Sequence, residues 1–239
     1  MFKLRVLLIF SLLLLAACTS QAQTGNTLLT IGVTTNLSSY RNVIYNCLLA
    51  NKQSVRVDAL PLETLLSGEY DAVLQVGQPD PDRVLPIQVG KVRLVFIINP
   101  QNPLTQMNSS QLAAILLGMV DDWQTVAPAS FNVPTAIKVW SYTVGDDVRR
   151  MLESLLLDER QISLQSFIAP DAQAMAEAIS KDPAAIGYLL DIHSQADVKS
   201  LQVFPSGAIT QAQPVIVSFS AIPEGDLKDI MVCLSKQGE

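Results

Sequence analysis

The sequence predicts an α/β fold, and three observations carry that prediction. Apolar runs of strand length alternate with segments of helical periodicity along the chain, the order expected of strands joined by helices that cover a sheet. Val92 to Trp123, VRLVFIINPQNPLTQMNSSQLAAILLGMVDDW, sets a buried strand, an Asn-Pro turn and a capped helix in a fixed order. No internal repeat or low-complexity segment breaks the succession.

Leu28 to Val33 reads as a strand, Leu37 to Ala50 as a helix and Ser54 to Ala59 as a second strand. A short helix over Leu62 to Leu66 and a third strand over Tyr70 to Val76 follow, and this alternation implies a parallel sheet. Gly77 to Asp82, GQPDPD, is rich in turn formers and leads toward the next strand. There Leu94, Val95, Phe96, Ile97 and Ile98 form an unbroken apolar run, which suits a strand covered on both faces. The run stops at Asn99 and Pro100. Asn108 or Ser109 then caps a helix, with Gln111 placed for a capping box, Leu112, Ile115, Leu116 and Met119 on one face, and Gly118 near the end. Beyond Trp123, a strand over Ala136 to Trp140 precedes a helix over Gly145 to Leu157, in which Val148, Leu152, Leu155 and Leu156 are apolar. Asp171 caps a helix over Ala172 to Ser180 that Asp182-Pro183 ends, Ala185 to Leu190 is a strand, and Leu227 to Lys236 is a helix.

The N-terminus indicates a compartment. Lys3 and Arg5 precede an apolar core from Val6 to Leu15, and small residues follow at Ala16-Ala17 before Cys18. A positive start, a short apolar run and small residues describe a secretory signal over residues 1–17 rather than a spanning helix. Small residues followed directly by Cys resemble the bacterial lipobox. That resemblance implies lipidation of Cys18, a polar tether over residues 18–26, and a chain anchored by lipid to the extracytoplasmic side of a membrane.

From Cys18 onward 222 residues remain, enough for one large or two small domains with their own cores. Without Lys3 and Arg5 there are 14 basic against 22 acidic residues, a net charge of −8. An acidic surface excludes nucleic acid as a partner, because phosphate backbones need a basic face. The sole histidine, His193, follows the AIGYLL strand with Asp191 nearby and reads as a surface or loop residue. No nucleophile motif accompanies it, no clustered Cys offers a metal site, and Gly-rich nucleotide loops are absent. The expectation is a non-enzyme without cofactor or metal.

The Val92–Trp123 block resembles the phosphate-binding family of type 2 periplasmic binding proteins. In that family a hinge strand ends in Asn, an Asn-Pro step follows, and a helix closes with Gly and a downstream Trp; the matching residues here are Asn99, Asn102-Pro103, Gly118 and Trp123. Ala185 to Tyr188 is similar to the family's return strand, and the closing Leu234 to Glu239 to its C-terminal run. The resemblance implies a two-lobed α/β fold with hinge strands between the lobes: residues 27–98 plus 206–239 as lobe 1, with Pro214 to Ser220 carrying the chain back, and residues 99–205 as lobe 2. It also implies a monomer that closes on a small solute, for example an oxyanion, and delivers it to an ABC permease in the membrane. Since the family's C-terminal helices return onto the first lobe, Cys47 and Cys233 fall in the same half, and either a disulfide or two buried thiols fits.

Family members hold phosphate with backbone N–H groups and hydroxyls at helix N-termini, which suit anions because free N–H groups converge there. Thr34, Thr35, Asn36 and Ser38 occupy the first such place, where simple capping by Asn36 or Ser38 is the other reading. The second place falls on Ser141, Tyr142, Gly145 and Arg149, and only Gly145 and Arg149 keep the family pattern. Asp146 and Asp147 replace its Ser and Gly; they stabilise a helix start yet repel a phosphate. Gln78 takes the third place, where it faces a polar ligand or belongs, with Asp80, Asp82 and Arg83, to a solvated turn. Three outcomes fit: a different ligand, neutral or cationic; an oxyanion held by the first lobe and Arg149; or a degenerate fold acting as a sensor, adhesion or assembly module without transport.

Overall fold

The computed structural model describes residues 28–49, 54–126, 135–193, 197–205 and 207–237. The expected signal over 1–17, the tether over 18–26 and Cys18 lie outside these residues. Among the described residues eleven strands form two sheets, and six α-helices cover them.

In the first sheet β1 (Leu29–Thr34) lies between two parallel neighbours, β2 (Val55–Leu60) and β3 (Ala72–Val76). Helices α1 (Tyr40–Leu49) and α2 (Leu62–Ser67) make the crossovers. β4 (Val84–Val92) and β11 (Gln213–Phe219) complete the order β2-β1-β3-β11-β4, with β11 antiparallel to both neighbours. The parallel reading therefore holds for β1 to β3 only. β11 arrives from the other sheet instead of over a covering helix, so no crossover obliges it to run with β3. The C-terminal helix α6 (Gly225–Gln237) returns against α1, and Cys47 is joined to Cys233 by a disulfide across the two helices, Cα–Cα 5.8 Å.

The second sheet has the order β6-β10-β5-β9-β7-β8, from β5 (Leu94–Ile98), β6 (Gln106–Asn108), β7 (Lys138–Ser141), β8 (Phe167–Ile168), β9 (Ala185–Leu190) and β10 (Lys199–Phe204). Its helices are α3 (Ser109–Leu116), α4 (Asp147–Leu156) and α5 (Ala172–Lys181). β5 pairs antiparallel with β9 and β10, and only Arg93 separates it from β4. The chain thus leaves the first sheet at Arg93 and not after Ile98, the expected boundary, because the apolar run of β5 is buried as a central strand of the second sheet. Asp191 fastens the crossing: Arg93 N donates to its Oδ1 at 3.0 Å, and Asp191 N donates to Arg93 O at 2.9 Å.

The residues of the Val92–Trp123 block each have a structural task. Asn99 Nδ2 donates to the carbonyls of Ile179 (3.0 Å) and Ser180 (2.7 Å), tying the end of β5 to the last turn of α5. Asn108 and Gln111 form the expected capping box on α3. Gly118, at φ +72°, supplies the left-handed residue that ends this helix. Trp123 is fully buried and its Nε1 donates to Ala184 O at 2.9 Å. Met119, expected on the core face, is 70% exposed, because the helix stops at Leu116 before a further turn can carry it inward.

β4, β6, β8 and β10 have no counterpart in the sequence reading. β4 contains Pro86 and Gly90 and is largely exposed in its first half. It is an end strand of its sheet, the place where a strand tolerates proline. One hydrophobic core runs through both lobes, and Leu62, Leu65, Tyr70 and Val73 form a satellite against α2. Among the described residues no helix is long and apolar enough to cross a membrane.

Candidate functional site

The two lobes meet where β1 and β3 of the first present their C-terminal ends to the start of α4 in the second. β1 delivers Thr34, and the single turn of 3-10 helix after it (Thr35–Leu37) delivers Asn36; both are buried. Opposite them, Asp146 is the N-cap of α4 and Asp147 its first residue. Asp146 Oδ1 accepts from the N–H groups of Val148 (3.0 Å) and Arg149 (3.1 Å), an ordinary capping arrangement. Its other oxygen leaves the lobe: Oδ2 accepts from Asn36 Nδ2 at 3.0 Å. Asp147 Oδ2 accepts from Thr34 Oγ1 at 2.8 Å and from Val76 N at 2.8 Å, while Oδ1 accepts from Val148 N at 3.0 Å.

A hydroxyl and a backbone N–H of the first lobe, suited to an oxyanion, thus hold a carboxylate from the same chain. From the sequence these aspartates are expected to repel a bound phosphate. In the structure Asp147 accepts from those first-lobe donors, and the two aspartates clasp the lobes together. His193, read as a surface or loop residue, adds a further bridge, Nε2 to Asn36 O.

Burial sets the protonation of the clasp. The Asp146 carboxyl is pushed up to about 8, first by burial and then by the charge of Asp147, against the pull of the Arg149 and Val148 N–H groups and Asn36. Asp147 is likewise raised by burial, opposed by its bonds from Val76, Thr34 and Val148. Two carboxyls this close in a dry setting do not both ionise, so the pair shares a proton at neutral pH and titrates as a unit.

Gly145, just before the clasp, has φ +84°, and a Cβ there would come within 2.1 Å of Glu63 Oε1. The missing side chain is what lets Glu63 of α2 lie across the lobe boundary. The remaining expected ligand residues of the second lobe lie in its interior. Ser141 Oγ is 2.9 Å from Tyr188 Oη, and Tyr142 Oη donates to Tyr188 O at 3.2 Å, with the two tyrosine rings edge to face at 5.3 Å. Burial, and then Tyr188 and the nearby aspartates, push the Tyr142 hydroxyl well above its usual range. Every guanidinium nitrogen of Arg149 has a partner in its own lobe: Glu153 Oε1 (2.8 Å), Tyr142 O (3.1 Å) and Ile162 O (3.4 Å). Arg149 therefore meets the clasp only through its backbone N–H.

Of the first-lobe candidates, Thr34 and Asn36 enter the clasp. Thr35 is half-buried, and its carbonyl accepts from the N–H of the exposed Ser38 at 3.3 Å. Gln78 is exposed; its carbonyl accepts from Gln75 Nε2 at 2.5 Å, and both glutamines line a cavity of about 200 Å³ that also reaches Asp147. Val76 and His193 were missed. Val76 acts through its backbone, which no residue type announces, and His193 is brought in by the turn after β9. Among the described residues no group of acidic, His or Cys side chains could hold a metal ion.

Two lobes, each with a mixed sheet, joined by two crossings and facing each other across helix N-termini, define the class of two-lobed periplasmic binding proteins. A family model described as the PBP superfamily domain matches residues 50–226, and the chain belongs to that family. A putative phosphate ABC transporter substrate-binding protein with bound phosphate from Clostridium perfringens is similar at 14% identity and TM-score 0.72, over 89% of this chain and 95% of that one. An ABC-type phosphate transport receptor from Vibrio cholerae is similar at 14% identity and TM-score 0.68, over 87% and 93%. The effector-binding domain of QuiR in complex with shikimate matches at 14% identity and TM-score 0.58, over 88% and 96%. At such identities the likeness is one of fold. No curated protein matches the chain.

Proposed function

We propose that the chain is an extracytoplasmic solute-binding protein, anchored through lipid on Cys18, that takes a small solute other than free phosphate between its lobes and presents it to an ABC permease. Family membership and the two-lobed fold support solute capture. The observation that carries the choice of solute is Asp147: its carboxylate already accepts from Thr34 Oγ1 and Val76 N, and a phosphate at that place would meet two buried carboxyls. The same clasp favours a second reading, a binding-protein fold retained as a sensor, adhesion or assembly module, since the lobes are tied together by the chain's own side chains.

Thermal melting of the purified protein against phosphate, other oxyanions, amino acids, sugars and amines separates the readings. A solute at a hundredfold over its dissociation constant adds about 2.7 kcal/mol of stability. A shift with phosphate as large as with any other solute contradicts the first reading, and no shift with any solute leaves the second.

A further inference from the structure

The cavity beside the clasp lies between the end of β3 and the exposed side of α4, and its walls include Gln75, Gln78, Asp147, Arg150, Ser154 and Glu159. Gln75 is only 2% exposed, and although its Nε2 is engaged by the Gln78 carbonyl, its Oε1 has no partner. A buried amide oxygen left without a donor is costly and calls for an occupant that donates. The charge points the same way. Three carboxyls line the cavity, those of Asp147, Glu153 and Glu159, and Arg150 is the one cation among the described lining residues. Glu153 is already bound to Arg149 Nε and Ile162 N, whereas Glu159 is exposed and accepts only from Ser154 Oγ at 2.6 Å among the bonds of the described residues.

An anion finds Arg150 alone against three carboxyls, and a neutral hydroxyl satisfies Gln75 but leaves the carboxylates unused. A primary ammonium carries three donors and a positive charge. The volume of about 200 Å³ matches about seven water molecules, so it admits a compact organic molecule of similar size.

We infer that this cavity binds a small organic amine, received by Gln75 Oε1 and by the carboxylates of Asp147 and Glu159. The inference rests on the solute-binding reading above and names its ligand class. The cavity adjoins the clasp, with Val76 and Asp147 both in its wall, and an amine held beside Asp147 rather than in its place leaves the bonds from Thr34 Oγ1 and Val76 N intact.

Calorimetric titration of the purified protein with putrescine, and with 1,4-butanediol as a neutral counterpart of equal length, tests it. Putrescine should bind at least tenfold more tightly than the diol. Glu159→Gln, a surface change away from the clasp, should weaken putrescine at least fivefold, and Gln75→Leu at least tenfold, with melting curves recorded to show that each variant folds. A cation beside Asp147 draws off a proton that burial otherwise retains, so the binding heat should differ between buffers of different ionisation enthalpy. A heat independent of buffer places the amine elsewhere and overturns the site. Equal affinity for the diol, or no effect of either substitution, overturns the ligand class. If putrescine and other amines fail while a sugar, amino acid or oxyanion shifts the melting temperature, this inference falls and solute capture stands; if no solute shifts it, both fall.

Discussion

Replacing Asp146 by Asn removes a titratable carboxyl from the clasp while conserving its hydrogen bonds. Asn keeps an oxygen for the N–H groups of Val148 and Arg149 and caps a helix about as well as Asp. Its NH2 then faces Asn36, whose Oδ1 is buried without a partner and becomes the acceptor once that amide turns over. The consequence is legible in pH. Folding raises the Asp146 carboxyl from an ordinary value of about 4 to about 8. Between those values the folded protein keeps a proton that the unfolded chain has released, so stability is greatest on the acid side and falls as pH rises. One proton gives about 1.4 kcal/mol per pH unit, or about 4 kcal/mol from pH 5 to 8. At roughly 2–4 °C per kcal/mol for a chain of this size, the melting temperature drops by about 8–16 °C over that range. Asp147, raised by the same burial, acts with the same sign. Circular dichroism melts from pH 5 to 9 on the protein and on Asp146→Asn should coincide near pH 5 and diverge toward pH 8, with the variant melting higher. A flat or rising profile for the unsubstituted protein, or an equal slope in the variant, refutes the shared-proton account.

Asp146→Ser combined with Asp147→Gly keeps a helix cap and frees Thr34 Oγ1, Asn36 Nδ2 and Val76 N–H; phosphate affinity by calorimetry should rise at least tenfold, and no change removes the view of Asp147 as an anion substitute. Gly145→Ala forces a side chain onto φ +84° and against Glu63, a strain of about 1–3 kcal/mol; adding Glu63→Ala should restore part of the loss in urea unfolding, and full additivity contradicts the contact. Reducing Cys47–Cys233, which spans 186 residues of sequence, releases a long loop, and the denaturant midpoint should report a loss of about 3–5 kcal/mol; a loss below about 1 kcal/mol means that the helices are held by packing alone.

The elements legible in the sequence are those whose signals are local. Asn108 with Gln111 announces a helix start, and five apolar residues from Leu94 to Ile98 announce a buried strand. β4 is not legible there, because its Pro86 and Gly90 mimic a loop and its exposed residues give no apolar period. Nor does the sequence show which sheet owns β5, since burial on both faces says nothing about which neighbours supply the burial. For the site the limit was similar. Thr34, Asn36, Asp146 and Asp147 were all identified, but their pairing spans 110 or more residues, and repulsion was inferred where the fold makes an internal bond. Ser141, Tyr142 and Arg149 match a ligand motif by position while their side chains serve the interior of the second lobe.

A carboxylate fixed at the start of α4 competes with any dissolved anion for the first-lobe donors. Groups tethered even by a flexible linker act at effective concentrations of about millimolar, and Asp147 is held on a helix beside the donors it accepts from. A free oxyanion at micromolar concentration therefore begins about a thousandfold behind, about 4 kcal/mol. Closure of the lobes, which in a ligand-gated binding protein depends on the solute's differential affinity for the two states, here draws on contacts internal to the chain. A solute has two routes: to release the clasp and supply its bonds in full, or to bind beside it. The second needs only a cavity that adjoins Asp147 and has a wall residue with an unmatched polar atom, and Gln75, through its buried Oε1, is that residue.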